Sequence, residues 1–405
     1  MQILDGFRKR ALRNPEWLIY AAFFSFQLPV HAMQPIVSLY MASLGAEPST
    51  IGLLLGVAGS VSLVLAAPLG RMSDRIAASR QVLIGGMICI LAFVGLSKIA
   101  SLIGVGVFLG LVMFGHTATV LAYQSAVGSD GIGSERVQAF GWLAATISFA
   151  QSLGPPAAGI IVDKSGISTA FGLSAVAAGL SLIGVPILRA RESSHYRPDA
   201  PGESMERRVV WWRNRGLLHA SSSSLLSSLS LNVRLSFLPL FLAAAGSTTT
   251  QIGILFSVQA VASLAVRSQI GGLTKRFGTS RMITAVFLLS TVGLAVVPLL
   301  ANLVQFVVVC VIFGLANGIV HPITMALAAD SVPNHQKGMA LGIRYSAFRL
   351  GNVASPLALG LAAGLWGLSA AFLAAAAFSA VGAAGGIIHE LESDHGSEAK
   401  IVHSE

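Results

Sequence analysis

Three histidines, His31, His116 and His321, stand inside long apolar stretches of the sequence, and so do Arg234, Arg267, Arg344 and Arg349. Histidine is the side chain that gains and loses a proton near neutral pH. Arginine offers a planar fork of N–H donors matched to a carboxylate or phosphate. No Asp or Glu falls deep in those stretches: Asp130 and Asp330 sit at one set of ends, Asp163 near the opposite ends and Glu47 in a loop. A desolvated organic cation would need a fixed carboxylate there, so cationic cargo is disfavoured. Proton carriage then falls by elimination to His31, His116 and His321. No paired carboxylates, nucleophile constellation or metal-ligand cluster occupies a credible active site, and no Gly-x-x-x-x-Gly-Lys phosphate loop is present. The expectation is a protein that is not an enzyme, holds no metal or cofactor and is not itself driven by ATP.

The polar residues fall at helical spacing. Gln27, His31, Gln34 and Ser38 lie at i, i+4, i+7 and i+11, on one face of a helix. His116, Thr119 and Tyr123 share a phase, as do Ser223, Ser227, Ser230 and Arg234, then Asn317, His321 and Thr324, and finally Tyr345, Arg349 and Asn352. Serines and threonines bond back to their own helices, and lone histidines or glutamines pack between helices. Four stripes in register on spans one, four, seven and ten imply instead the walls of a hydrated cavity. Candidate solute contacts are Gln27, His31, Gln34, His116, Tyr123, Ser230, Arg234, Asn317, His321, Tyr345, Arg349 and Asn352. Depth along the chain separates the arginines: Arg267 and Arg344 lie ~6–9 Å from their span ends, within reach of water by snorkelling or of a gate. Arg234 and Arg349 lie nearer mid-span and are the stronger candidates for an anionic solute, although helix carbonyls could also satisfy them.

The elements that must position these groups are membrane helices. Hydrophobic residues make up 54% of the chain and charged residues only 11%, against roughly 25% charged in ordinary globular chains. Twelve apolar spans are predicted, near 17–44, 50–70, 81–97, 100–128, 137–162, 168–189, 217–245, 251–271, 282–300, 303–329, 338–363 and 368–389. Continuous rather than alternating hydrophobicity argues for helices, because lipid leaves backbone groups to be satisfied within the segment. The net charge of +9 is distributed by topology rather than as a nucleic-acid footprint. Arg8, Lys9, Arg10, Arg13, Arg71, Arg75, Arg80, Arg136, the arginines from Arg189 to Arg215, Lys275, Arg276, Arg281 and Lys337 fall on one side, and the alternate loops hold only Lys98 and Lys164. The positive-inside rule therefore places both termini and the central loop in the cytoplasm. Cys89 and Cys310 fall inside spans and suit packing better than a disulfide or metal.

The chain also repeats. Residues 45–80 align without a gap on 246–281, a constant shift of 201 that pairs Gly45 with Gly246, Gly52 with Gly253, Ser62 with Ser263 and Arg80 with Arg281. The same shift lays Gly154-Pro155 on Ser355-Pro356. An apolar chain of two related halves implies a secondary transporter with its solute site between them. The organisation expected is an interfacial cytoplasmic N-terminus (1–16), a six-helix bundle (17–190), a charged linker (191–215), a second six-helix bundle (216–390) and a cytoplasmic tail (391–405).

This layout, together with the loop Gly70-Arg71-Met72-Ser73-Asp74-Arg75-Ile76-Ala77-Ala78-Ser79-Arg80, resembles the major facilitator superfamily over nearly the whole chain. The resemblance implies an all-α polytopic membrane protein with twelve transmembrane helices in two pseudo-symmetric six-helix bundles. It also implies that spans one, four, seven and ten line the cavity. The loop resembles the family's signature, with Gly70 allowing close helix packing, Asp74 near a helix N-terminus, and Arg75 and Arg80 meeting Asp130 as a cytoplasmic latch. Ala77 stands where that signature has its second glycine, and Lys275 occupies the repeat position of Asp74, so the latch is expected to be one-sided. Gly154-Pro155-Pro156-Ala157-Ala158-Gly159 loosely resembles an element of the family's antiporters. The expected function is proton-coupled efflux of a small organic or anionic solute by alternating access, from a monomer in a bacterial-type inner membrane. The expected partners are solute, protons and lipid, with no nucleic acid. An importer or uniporter of a small organic anion, and a non-transporting receptor on the same fold, are the alternatives.

Overall fold

In the computed structural model, residues 16–73, 76–128, 134–195, 214–267, 269–333 and 337–402 are described. Among them all regular structure is helical. The helices are α1 (Glu16–Ser43), α2 (Pro48–Ser73), α3 (Ala78–Lys98), α4 (Leu102–Gly128), α5 (Ser134–Ser165), α6 (Ile167–Leu180), α7 (Gly184–His195), α8 (Arg215–Ala244), α9 (Thr249–Arg267), α10 (Ile270–Phe277), α11 (Thr279–Val296), α12 (Leu303–Asp330), α13 (Lys337–Trp366) and α14 (Leu368–Val402). Eleven stretches within them are long and apolar enough to cross a membrane. The first helix, α1, is not among those eleven although it has 28 residues. Gln27, Gln34 and His31, polar residues within it, lower its hydropathy.

Three spans depart from single helices. Span six is α6 and α7 joined by a 3-10 turn at Ser181–Ile183, and span nine ends in a 3-10 turn at Val297–Leu299. Span eight, expected to run to residue 271, stops at Arg267, and the chain restarts as the short α10. In α10, Ile270 and Leu273 pack on the core residues Met282, Ile283 and Phe287, while Lys275 and Arg276 are exposed. Such an amphipathic turn suits a membrane surface rather than its interior.

Several turns repeat with the sequence. Gly45 and Gly246 have φ of 83° and 84°, and Gly166 and Gly367 have φ of 82° and 86°. Both pairs are separated by 201 residues, and each glycine occupies the left-handed region that a side chain disfavours. The repeat breaks at Gly278, φ 81°, whose counterpart Ala77 has φ −50°. The Ala77 departure from the signature thus has a backbone consequence.

The chain forms two compact units. The first comprises Met1–Leu44, Val57–Met205 and Thr248–Gly253. Within it α3 packs on α4 and α6, and α1 packs on α5. Its core includes Ile19, Phe23, Val82, Tyr123, Leu143 and Leu188. The second unit comprises Gly45–Gly56, Glu206–Ser247 and Ile254–Glu405. There α11 packs on α12 and α14, and α8 packs on α13, the same neighbours in the repeat. Large apolar side chains such as Ile103, Val64, Val304 and Leu365 are exposed. In water they would be a liability, whereas on a lipid-facing surface they match their solvent.

Small residues set the closest helix contacts. A Cβ on Gly253 would overlap the Pro155 carbonyl oxygen and lie 2.8 Å from Pro156 Cα. A Cβ on Gly52 would overlap the Pro356 carbonyl oxygen and lie 2.7 Å from Gly360 Cα. The two contacts are repeat-equivalent, so the glycine and proline pairs visible in the sequence are facing surfaces. Proline itself has no N–H, and the glycine opposite allows the backbones to approach.

Candidate functional site

In the first unit, the stripes of α1 and α4 meet. His116 Nε2 lies 2.9 Å from Gln27 Oε1. Because the amide oxygen only accepts, the imidazole donates. Phe26 stacks on the same ring at 5.9 Å with an interplanar angle of 10°. Gln27 and His31 are buried, and Gln34 is half-buried. Neither ring nitrogen of His31 has a hydrogen-bond partner among the described residues, although Gln34 is its polar neighbour. A buried imidazole without hydrogen-bond partners is costly. Tyr123 is fully buried in the core, tilted against Phe23 at 4.9 Å, and its hydroxyl has no hydrogen-bond partner among the described residues.

Serines beside these residues behave as their helices dictate. Ser38 donates to the Pro35 carbonyl at 3.2 Å. Ser62 shares a 2.9 Å hydrogen bond with Thr117, which donates to the Met113 carbonyl. Back-bonding of this kind satisfies the hydroxyl and removes it from any solute.

In the second unit, Arg234 is buried and held by protein groups. Its Nε donates to the Ser230 carbonyl at 2.8 Å and Nη1 to the Phe313 carbonyl at 3.2 Å, with the guanidinium 4.5 Å from the Phe313 ring centroid. Ser230 itself is 2.5 Å from Ser379. Asn232 donates to Asn352 Oδ1 at 2.8 Å. Arg349 is half-buried, and its Nε and Nη2 reach the hydroxyl of the exposed Tyr345 at 2.9 and 2.6 Å. Asn317 is half-buried.

Arg344, placed by depth near a span end, is buried at 2% exposure. Its Nε donates to Ser224 Oγ at 2.9 Å and its Nη2 lies 2.9 Å from His321 Nδ1. Axial depth is legible in a sequence, but the face of the helix decides burial, and α13 turns Arg344 inward and Tyr345 outward.

The Asp163 carboxylate accepts the main-chain N–H groups of Thr249 at 3.1 Å and Thr250 at 2.7 Å. These are the first turn of α9, whose N–H groups have no intrahelical acceptor, so a carboxylate there is both cap and dipole partner. Gly159, one turn earlier in α5, passes so close that a Cβ would lie 2.8 Å from Thr250 Cα. Nothing in the sequence links Asp163 to a threonine 86 positions on, apart from the repeat that pairs Gly159 with Gly360.

Gly154 and Pro155 are buried, and a Cβ on Gly154 would lie 2.9 Å from the Ala32 nitrogen. Of the expected latch, Gly70 is in the last two turns of α2 and Arg80 is exposed, while Asp74, Arg75 and Asp130 lie outside the described residues.

Comparison with known proteins agrees with this architecture. The family model described as Major Facilitator Superfamily matches residues 19–220 and 220–401. The chain is 22% identical over 383 residues to the uncharacterized MFS-type transporter MJ1560 of Methanocaldococcus jannaschii, covering 91% of this chain and 96% of that one. It is 33% identical over 173 residues to the multidrug resistance protein MdtG of Salmonella paratyphi C, which covers 40% of this chain and 41% of MdtG. A solved POT family transporter in complex with a thioalcohol-conjugated peptide superposes with a TM-score of 0.77 at 12% identity, covering 93% of this chain and 95% of that one. That likeness bears on the fold alone. Two related helical units, membrane-length apolar helices and a family match over both halves have one common reading: the chain belongs to the Major Facilitator Superfamily, a family of membrane transporters.

Proposed function

We infer that this transporter exports a small organic solute in exchange for protons, by alternating access. The observation that carries the reading is the meeting of polar stripes in otherwise apolar helices, with Gln27 bonded to His116 one helix turn from His31, whose ring nitrogens have no hydrogen-bond partner among the described residues. Polar groups at such depth are expensive unless they serve a solute or proton path. Export is favoured by the likeness of part of the chain to a multidrug resistance protein. His31 and His116 are the groups suited to carry the proton. His321 is held differently, because Arg344 occupies its Nδ1 as donor. The charge asymmetry of the loops supports cytoplasmic termini in a bacterial-type inner membrane. The Asp163 carboxylate of α5 capping the first turn of α9, with the glycine contacts around Pro155 and Pro356, supplies helix contacts of the kind a gate requires.

The test is accumulation of a chemically varied solute panel in inside-out vesicles. Gradient-dependent accumulation supports export. Accumulation only in right-side-out vesicles would reverse the direction, and saturable binding without flux in either would point to a receptor.

A further inference from the structure

We propose that Arg344, His321 and Ser224, with Arg267 beside them, form an oxyanion-binding site within the second unit that takes the carboxylate or phosphate group of the solute. This deepens the export reading and rests on it for the identity of the cargo. Four helices contribute: Ser224 from α8, Arg267 from the last turn of α9, His321 from α12 and Arg344 from α13.

The chemistry is one-sided. Arginine has no acceptor, so His321 Nδ1 must accept from Arg344 and the ring proton sits on Nε2. Phe348 packs edge-on against the ring at 5.2 Å and helps hold that orientation. Nε2 has no partner among the described residues and is not sealed from the accessible surface. It is a fixed N–H donor. Ser224 Oγ, which donates to the Ala220 carbonyl at 2.8 Å, accepts from Arg344 Nε and so fixes the plane of the guanidinium. The other N–H groups of Arg344 have no hydrogen-bond acceptor among the described residues. Arg267 is close enough for its charge to act on His321, as does that of Arg344.

A guanidinium and a donor imidazole therefore converge, with the charge of Arg267 acting on the same ring, and no carboxylate among the described residues pairs with Arg344. A buried guanidinium lacking a counter-charge is costly, and an oxyanion would supply both the charge and the missing acceptors. A planar fork beside a fixed N–H donor suits carboxylate or phosphate geometry and offers little to chloride. Arg234 differs, because two helix carbonyls and an aromatic face already serve it.

A phosphate group could come from a soluble ligand or from a lipid headgroup. The experiment is calorimetric titration of the full chain with inorganic phosphate, at constant ionic strength in chloride. It is run in phosphatidylcholine nanodiscs and again in discs containing phosphatidylglycerol. The expected result is saturable binding in both, weakened roughly tenfold or more in Arg344→Gln and unchanged in Lys275→Gln. Ser224→Ala keeps the guanidinium but loses its orienting acceptor, and is expected to weaken binding severalfold should Arg344→Gln fail to fold. Absence of saturable binding, or wild-type affinity in both site variants, overturns the proposal. Phosphate binding that disappears only in phosphatidylglycerol discs assigns the site to lipid and equally overturns it. The titration needs no gradient or flux, so failure of vesicle transport with phosphate binding intact would count against export and not against the site.

Discussion

His116 donates its Nε2–H to Gln27 Oε1 across 2.9 Å, joining α4 to α1 at a position where Gln27 is only 1% exposed. Removing the donor strands a buried amide oxygen, which costs about 1–3 kcal/mol. His116→Ala is therefore expected to lower the thermal midpoint of the purified protein more than His116→Gln, whose amide can still donate to Gln27. Equal midpoints would mean that the bond does not hold the two helices.

His31 makes the opposite prediction. Both its ring nitrogens are buried without hydrogen-bond partners among the described residues, so His31→Leu removes a desolvation penalty and is expected to stabilise the protein by about 1 kcal/mol. The same variant is expected to lose the response of flux to an imposed pH gradient. Stability gained at the expense of coupling is the signature of a functional polar group. A destabilised His31→Leu would show instead that the imidazole is structural.

The glycines at the closest contacts allow little substitution. Gly52→Ala and Gly253→Ala each place a Cβ against a proline carbonyl, and each is expected to cost about 1–3 kcal/mol by overpacking. Gly172 has nothing within 4 Å of a built Cβ, so Gly172→Ala in α6 is expected to be neutral or stabilising by about 0.5–1 kcal/mol. Thermal denaturation of the three variants separates contact from composition.

Asp163 protects two amides. In Asp163→Ala the N–H groups of Thr249 and Thr250 lose this cap acceptor, and their hydrogen exchange is expected to accelerate roughly tenfold, for a cap worth ~1 kcal/mol or slightly more. Asp163→Asn keeps an acceptor but not the charge and is expected to fall between. Unchanged exchange in Asp163→Ala would show that this contact does not hold the start of α9.

What the sequence makes legible is periodic. The constant shift of 201 residues carries through to equivalent left-handed glycines at 45 and 246, and to equivalent glycine–proline contacts at 253 and 52. The stripes on spans one and four were legible as faces, and Gln27 with His116 shows those two faces meeting. The arginines were harder. A linear sequence reports distance along a helix axis but not which neighbours flank each face, so the burial of Arg344 and the exposure of Tyr345 could not be separated. The Asp163 cap was hidden for the same reason, since it depends on two helices meeting end to side. The break after Arg267 arises because Ile270 and Leu273 find a core on one side while Lys275 and Arg276 need water on the other.

The most direct test of proton-coupled export is solute accumulation in inside-out vesicles under an imposed proton gradient, comparing the wild type with a His31→Gln, His116→Gln double variant. Proton-coupled export predicts accumulation that follows the gradient in the wild type and flux that no longer follows it in the double variant. Accumulation that tracks the gradient equally in both would contradict histidine-coupled exchange.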